Sequence, residues 1–261
     1  MTGTSESPAL SGRHALVTGG GRGIGAAIAE ALSAAGATVS LLGRARGPLE
    51  ETLSRLPVQG GVAVADVTDP GQVRTAVDAV RRVHGGVDIV VNNAGMAESA
   101  PFERTSAEMW ARTIAVNLDG AFHVTQAVLD DLLAAEHGRI VNVASTAALR
   151  GYAYVTAYCA AKHGLLGLTR ALAAELARTT VTVNAVCPGY VETDMLTRSL
   201  DRISKTTSLD VDAARERLAA QSPQNRFITT DEVAHSVLWL VSPAARGVTG
   251  QAIAIAGGEV M

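Results

Sequence analysis

The chain has 261 residues, 48% apolar and 18% charged, with a formal net charge of −3. That balance excludes a disordered chain, and without a basic excess there is no electrostatic case for nucleic acid or an anionic membrane as partner. Two cysteines, Cys159 and Cys187, are too few for a disulfide framework, and no CxxC or Cys/His cluster accompanies them to suggest a metal.

The first ten residues, MTGTSESPAL, are polar and read as a disordered tail at 1–10; they lack the charged-then-apolar order of a secretory signal. No apolar run reaches membrane-spanning length, so a cytoplasmic location is expected. Residues 11–261 read as one α/β domain. A first strand at 14–18 runs into GGGRGIG and a helix over 24–35. Gly21, Gly23 and Ala26 fit the dinucleotide fingerprint, and Gly19, Gly23 and Gly25 give a wider spacing. Glycines let the backbone approach a pyrophosphate, and the helix N-terminus offers it unpaired N–H groups.

The second strand, 38–42, ends at Gly43 and Arg44. An acid there would bind the ribose 2′-hydroxyl of NAD. Arg44 instead, with Arg22 in the glycine loop and Arg46 nearby, favours the 2′-phosphate of NADPH. The other reading of these arginines is a solvated loop. A third strand, 62–64, precedes Asp66 and a helix over 72–83. A fourth, 88–91, precedes Asn92, Asn93, Ala94 and Gly95. One long helix over 106–135 carries Asn117. A fifth strand, 139–143, leads to Ser145, and a helix over 156–177 carries Tyr158 and Lys162. The sixth, 181–186, precedes Pro188 and Gly189. The polar interval 193–227 reads as a lid with one or two amphipathic helices. A helix over 231–240 and a last strand at 252–255 close the pattern. Nearly continuous apolar strands alternating with helices imply a doubly wound parallel sheet with helices on both faces.

The chain has only two lysines, and one of them, Lys162, follows Tyr158 by one helical turn, so the two side chains share a face. A free phenol has a pKa of about 10, too high for easy proton exchange at neutral pH. A nearby ammonium, and the positive charge of an oxidised nicotinamide, would lower it. Tyr158 could then protonate a carbonyl oxygen as hydride arrives, with Ser145 hydrogen-bonding the same oxygen. Each polar residue also has a plain structural reading: Ser145 as a helix N-cap, Asn92 and Asn93 as turn formers, Asn117 as a buried amide satisfied by backbone.

Taken together, Gly19-x3-Gly23-x-Gly25, NNAG at 92–95, Asn117, Ser145, Tyr158-x3-Lys162 and Pro188-Gly189 resemble the short-chain dehydrogenase/reductases in order and spacing, over about residues 10–261. The resemblance implies a single-domain Rossmann fold with a seven-stranded parallel sheet, no metal, and a homotetramer. It implies that Tyr158 is the acid/base, that Lys162 binds the nicotinamide ribose and lowers the Tyr158 pKa, that Ser145 holds the substrate carbonyl, and that Asn117 holds a water in a proton relay. It also implies cofactor contacts from Gly19, Arg22, Gly23, Ile24, Gly25, Arg44, Asp66, Val67, Asn93, Ala94, Gly95, Pro188, Gly189, Val191 and Thr193. Asn92 would stabilise the central strand.

The stretch LARTTVTVNAVCPGYVETDML resembles the 3-oxoacyl-thioester reductases, particularly aromatic polyketide ketoreductases. Two stretches depart from them: MAESAPF follows NNAG, and SPQNRF stands where Pro-x-Gly-Arg is usual. The expected reaction is NADPH-dependent reduction of a 3-oxoacyl thioester, on coenzyme A or a carrier protein, or of a related β-keto compound. Tyr152, Tyr154, Met195 and Leu196 are candidates to line its pocket, with ordinary lid packing as the alternative. Two other functions stay open. One is a dehydrogenase or reductase of a free secondary alcohol or of a cyclic or aryl ketone. The other is a nucleotide-sensing protein without chemistry, against which the full set of Asn117, Ser145, Tyr158 and Lys162 argues.

Overall fold

The structure, a computed structural model, describes residues 9–207 and 209–260. Among these, seven strands form one sheet: β1 (His14–Thr18), β2 (Thr38–Gly43), β3 (Gly61–Val64), β4 (Ile89–Asn92), β5 (Arg139–Val143), β6 (Thr182–Pro188) and β7 (Ala252–Ile255). All pairings are parallel, in the order β3-β2-β1-β4-β5-β6-β7. Nine α-helices connect them: α1 (Gly23–Ala34), α2 (Arg46–Leu53), α3 (Pro70–His84), α4 (Ala107–Ile114), α5 (Gly120–Ala134), α6 (Thr156–Glu175), α7 (Asp194–Thr206), α8 (Val211–Ala219) and α9 (Thr230–Val241).

The period of two along each strand sorts side chains to opposite faces. Ala15 and Val17 of β1, Ile89 and Val91 of β4, and Val141 and Val143 of β5 pack against Ile28 and Leu32 of α1 and Val233 and Val237 of α9. Leu16, Val90 and Ile140 face the other way, onto Val73 and Val77 of α3 and Val124, Val128 and Leu132 of α5. Both faces are therefore covered, which is why the strands read as unbroken apolar runs.

Local chemistry sets the helix ends. Asp69 caps α3, its Oδ1 accepting from Gly71 N (2.8 Å) and Gln72 N (3.1 Å), with Pro70 in the first turn and Arg81, Arg82 and His84 in the last. Thr229 and Glu232 form a capping box at the start of α9.

The structure corrects the sequence reading in four places. The single helix expected over 106–135 is two α-helices joined by a π-helical turn, Ala115–Asp119, with Asn117 at its centre. A helix absent from that reading, α2, forms over RGPLEETL, whose Gly47 and Pro48 punctuate the sequence but fit a first turn, where N–H groups lack partners anyway. The fourth strand is Ile89–Asn92, one residue later at each end than expected; just before it the Asp88 carboxylate accepts from His14 N (2.8 Å) and pairs with Arg13 (3.5 Å). Of the expected tail, residues 1–8 lie outside the described residues, but Leu10 is 2% exposed and its N–H bonds to Ala35 O (2.9 Å), so the packed chain starts before residue 11. The interval 193–227, expected as a lid with one or two helices, contains two, α7 and α8, packed on a small core of Leu196, Leu200, Ala214, Leu218 and Phe227.

Candidate active site

The C-terminal ends of β1 and β4 are adjacent, and at this point the strand order reverses. Open α/β sheets bind ligands there, because the loops leaving the two strands diverge and open a crevice. Here the loops are stitched together. Thr18 Oγ1 accepts from both Asn93 N and Ala94 N (2.9 Å each), and Asn93 Nδ2 donates to Thr18 O (2.9 Å) and Gly19 O (3.3 Å). Gly19 turns with φ +65°, and a Cβ on Gly25 would collide with the Gly19 carbonyl oxygen, so side chains are excluded from this turn. Helix α1 starts at Gly23 with no side-chain cap from Arg22 and no acid in its first turn. Its leading N–H groups and positive dipole end suit an anion. Thr193, the first residue of the lid, lies against Gly23.

Asp66 follows β3 and accepts from Thr68 N (3.0 Å) and Thr68 Oγ1 (2.8 Å) through Oδ1. Its other oxygen is 4.0 Å from Arg44, which is 77% exposed, and Arg22 lies 3.6 Å from Asp194. Such exposed ion pairs are weak, so both guanidinium groups can turn to a stronger anion. Ile24 is half-buried, and Val67 and Val191 are buried in the core layers, leaving main-chain atoms as the means by which Val67 or Val191 could touch a ligand.

Ser145, Tyr158, Lys162 and Asn117 gather beside this crevice. Ser145 leaves β5 and caps the short 3-10 turn Thr146–Ala148, its Oγ accepting from Ala147 N (3.1 Å). It also faces the Tyr158 hydroxyl closely enough to favour the ionised phenol, an arrangement compatible with both the N-cap and the catalytic readings. Lys162 is 4% exposed; its Nζ donates to Val143 O (2.8 Å), lies 5.6 Å from the centre of the Tyr158 ring, and approaches Gly95. Burial brings its pKa down to about 8.

Tyr158 departs from expectation. Burial pushes its phenol up to about 12, outweighing the Ser145 hydrogen bond, which acts in the opposite sense. The Lys162 ammonium, 5.6 Å from the ring centre and donating to the Val143 carbonyl, does not offset this burial in the free protein.

Asn117 is also more committed than a water-holder needs to be. Its Nδ2 donates to Met96 O (2.8 Å) and Thr113 O (2.9 Å), and its Oδ1 accepts from Met96 N (3.2 Å). Thr113 O is the acceptor that the backbone N–H of residue 117 would use in an α-helix, so the side chain stands in for that bond and accompanies the π-turn. Both amide hydrogens are taken, so a relay water would need another atom of this turn. Asn92 lies inside the sheet, donating to Thr125 Oγ1 (2.9 Å) and Asn142 Oδ1 (2.8 Å), and Asn142 passes on to Thr169 Oγ1 (2.9 Å). This chain braces the central strands.

The pocket candidates separate. Tyr154 stands at the mouth, 64% exposed, in a left-handed backbone conformation (φ +69°), with its carbonyl accepting from Ala100 N (2.8 Å). Met195 is half-buried at the start of α7, whereas Leu196 is packed in the lid core. The Tyr152 hydroxyl is bonded to Glu259 (2.5 Å) and Thr146 (2.8 Å). Pro188 and Gly189 end β6 beside the same crevice, Gly189 N bonding to Ile255 O (3.0 Å). Sequence reasoning missed Glu259 and Arg150; the one signal was an acid in the otherwise uncharged AIAGGEVM. Among the described residues, no group of three or more His, Cys, Asp or Glu side chains is placed to hold a metal ion. No helix there is long and apolar enough to cross a membrane.

A family model described as enoyl-(acyl carrier protein) reductase matches residues 19–259. The chain is 41% identical, over 94% of its length and 92% of the relative's, to a protein of Streptomyces violaceoruber provisionally named ketoacyl reductase 1 of granaticin polyketide synthase. It is 36% identical, over 96% of its length and 98% of the relative's, to the 3-oxoacyl-(acyl-carrier-protein) reductase of Escherichia coli strain K12. Among solved structures, a variant of actinorhodin polyketide ketoreductase with NADPH superposes with a TM-score of 0.92 at 38% identity, covering 95% of this chain and 97% of that one.

Proposed function

The chain belongs to the short-chain dehydrogenase/reductase family, oxidoreductases of CH–OH and C=O groups, and from that premise we propose that it is an NADPH-dependent reductase of a 3-oxoacyl thioester or related β-keto compound. The observation that carries this reading is the convergence of Ser145, Tyr158 and Lys162 beside a glycine turn built for a pyrophosphate.

The residues present fit a bound dinucleotide. The uncapped start of α1, reached through a turn in which Gly19 and Gly23 take positive φ, matches a pyrophosphate against the backbone. Gly43, where NAD-binding chains carry an acid, and the exposed Arg44 and Arg22 favour a 2′-phosphate. When bound, NADPH supplies hydride to the carbonyl carbon. Ser145 Oγ and Tyr158 Oη then hold the carbonyl oxygen, and Tyr158 gives it a proton. A phenol kept protonated by burial is suited to giving that proton at neutral pH. Lys162, two-sided between Val143 O and the ring of Tyr158, stabilises the phenolate left behind and offers donors for a ribose. Asn117 holds Met96 and the π-turn against this group.

The thioester reading rests on ketoacyl-reductase relatives that match nearly the whole chain. A homotetramer in the cytoplasm is part of the same proposal: Trp110 on α4 and Phe122 and Leu133 on α5 are exposed apolar side chains suited to burial between subunits. The test is turnover of purified protein with NADPH against acetoacetyl-CoA, a carrier-protein mimic and a bicyclic ketone. Thioester reduction that Tyr158→Phe abolishes, with NADPH binding retained, is the expected result. Turnover of the bicyclic ketone alone would move the substrate to the free-ketone class, and full activity of Tyr158→Phe would overturn the chemistry.

A further inference from the structure

One charged cluster near the crevice has no part in the chemistry above. Glu259 follows β7 and its side chain is 2% exposed. An unpaired buried carboxylate is costly, and this one is not unpaired. Its Oε1 accepts from Arg150 Nη2 (2.8 Å) and from the Tyr152 hydroxyl (2.5 Å), and its main-chain carbonyl accepts from Arg150 Nη1 (3.2 Å). The Arg150 guanidinium also lies over the Tyr152 ring, 4.6 Å from its centre. The other carboxylate oxygen rests against Gly189.

The Tyr152 hydroxyl also lies 2.8 Å from Thr146 Oγ1. A phenol has one proton. With an ionised carboxylate at 2.5 Å that proton goes to Glu259, and the Thr146 hydroxyl donates to Tyr152. The result is a directed chain, Thr146 to Tyr152 to Glu259. Thr146 is the neighbour of Ser145 and the first residue of the turn that Ser145 caps. A single carboxylate is thus bonded, through one oxygen, to the turn that aims Ser145, while its other oxygen packs beside Gly189 at the end of β6, where the cofactor is expected.

We propose that Glu259 is a positioning residue for the reductase reaction: through Tyr152 and Thr146 it fixes Ser145, and through Gly189 it fixes the cofactor wall opposite. The proposal rests on the reductase reading given above. It differs from a merely stabilising role in one respect. Displacing Ser145 weakens its influence on the Tyr158 hydroxyl, which favours the phenolate, so the proton equilibrium of Tyr158 is expected to move as well as the rate. The ionisable groups facing Tyr158 are Lys162, Cys159, Cys187 and Tyr190; Tyr190 in turn faces Glu259 and Arg150, so Tyr152→Phe, which leaves both charges in place, is the variant whose pH limb decides.

Two variants test it, Glu259→Gln and Tyr152→Phe; the second keeps the ring and leaves the Arg150–Glu259 pair intact, so it decides the matter if the first does not fold. Both are assayed for ketone reduction, for oxidation of the resulting alcohol across pH, and for NADPH affinity by fluorescence. The expected result is a kcat lower by on the order of ten-fold or more, since small misplacements at a reacting centre are expensive, with NADPH affinity within about two-fold of wild type. The rising limb of alcohol oxidation, which needs the Tyr158 phenolate, should move to higher pH. Folded variants with wild-type kcat and an unmoved limb would overturn the inference while leaving the reductase reading intact. A wild type that reduces no ketone would overturn both.

Discussion

Lys162 carries its charge in a place that disfavours it. Its folded-state pKa of about 8 lies below the ordinary 10.5, so between those values the unfolded chain binds more protons than the folded one. Stability is then expected to rise with pH across that window as the burial penalty is relieved. Lys162→Met should lose turnover, melt no lower than wild type at pH 7, and show none of the gain above pH 8; thermal melts of both proteins at pH 7, 8.5 and 10 check this. Arg44 poses the cofactor question at the same scale. Arg44→Asp sets a second acid beside Asp66, where a 2′-phosphate would be repelled. The expected outcome is a fall of on the order of ten-fold or more in kcat/KM for NADPH relative to NADH, and an unchanged ratio would show that Arg44 plays no part in cofactor choice. Tyr158, Lys162 and Ser145 were legible in the sequence because i,i+4 spacing and strand-end position fix which side chains meet. The state of Tyr158 was not, because burial, which decides it, depends on elements distant in sequence.

The helices show where local rules suffice. At α9, Glu232 accepts from Thr229 N (2.8 Å), is paired with Arg226 (2.7 Å), and has a pKa held down to about 2 first by Arg226 and then by the cap. A depressed acid contributes stability that is present above its ordinary 4.5 and lost as pH falls toward 2. Because both partners are about half exposed, Glu232→Ala should cost only about 0.5–1.5 kcal/mol at pH 7, a drop of a few degrees in Tm, and almost nothing near pH 2. The helix itself was legible to within a residue at each end, and every strand to within two residues, since their periods are local. The π-turn was not. Asn117 within it spends its amide on Thr113 O and on Met96, twenty-one residues away, and a window of sequence does not show that second partner. Helix α2 was hidden for the opposite reason, a local signal that misleads: Gly47 and Pro48 look like a loop and instead occupy a first turn.

The candidate active site lies at one end of the sheet, and the other end holds a polar cluster of a different kind. His14 is buried in β1, its Nε2 2.9 Å from Ser40 Oγ and its Nδ1 3.0 Å from Gly85 O, with the His84 ring 5.5 Å away. Burial lowers its pKa from the ordinary 6.5. The neutral ring is what the fold accommodates, so its contribution is present above 6.5 and is lost as pH falls through the ordinary value toward the folded one. Melts at pH 7.5 and 5.5 should show a loss of stability on acidification that is smaller in His14→Gln; equal losses would exclude His14 as the source.

The two halves of the sheet meet only where β1 lies beside β4, in a register of three residue pairs, Ala15 with Ile89, Leu16 with Val90 and Val17 with Val91. By comparison, β1 and β2 align over five. A dinucleotide lying across the ends of these strands would therefore act as a clasp over the shortest ladder near the centre of the sheet. Cofactor at about a hundred times its Kd stabilises the folded state by about 2.7 kcal/mol, and here that gain should be felt by both halves at once. Amide hydrogen exchange ought to slow along β2 as well as β5, beyond the residues that would touch the ligand, because opening either half would mean letting go of the clasp.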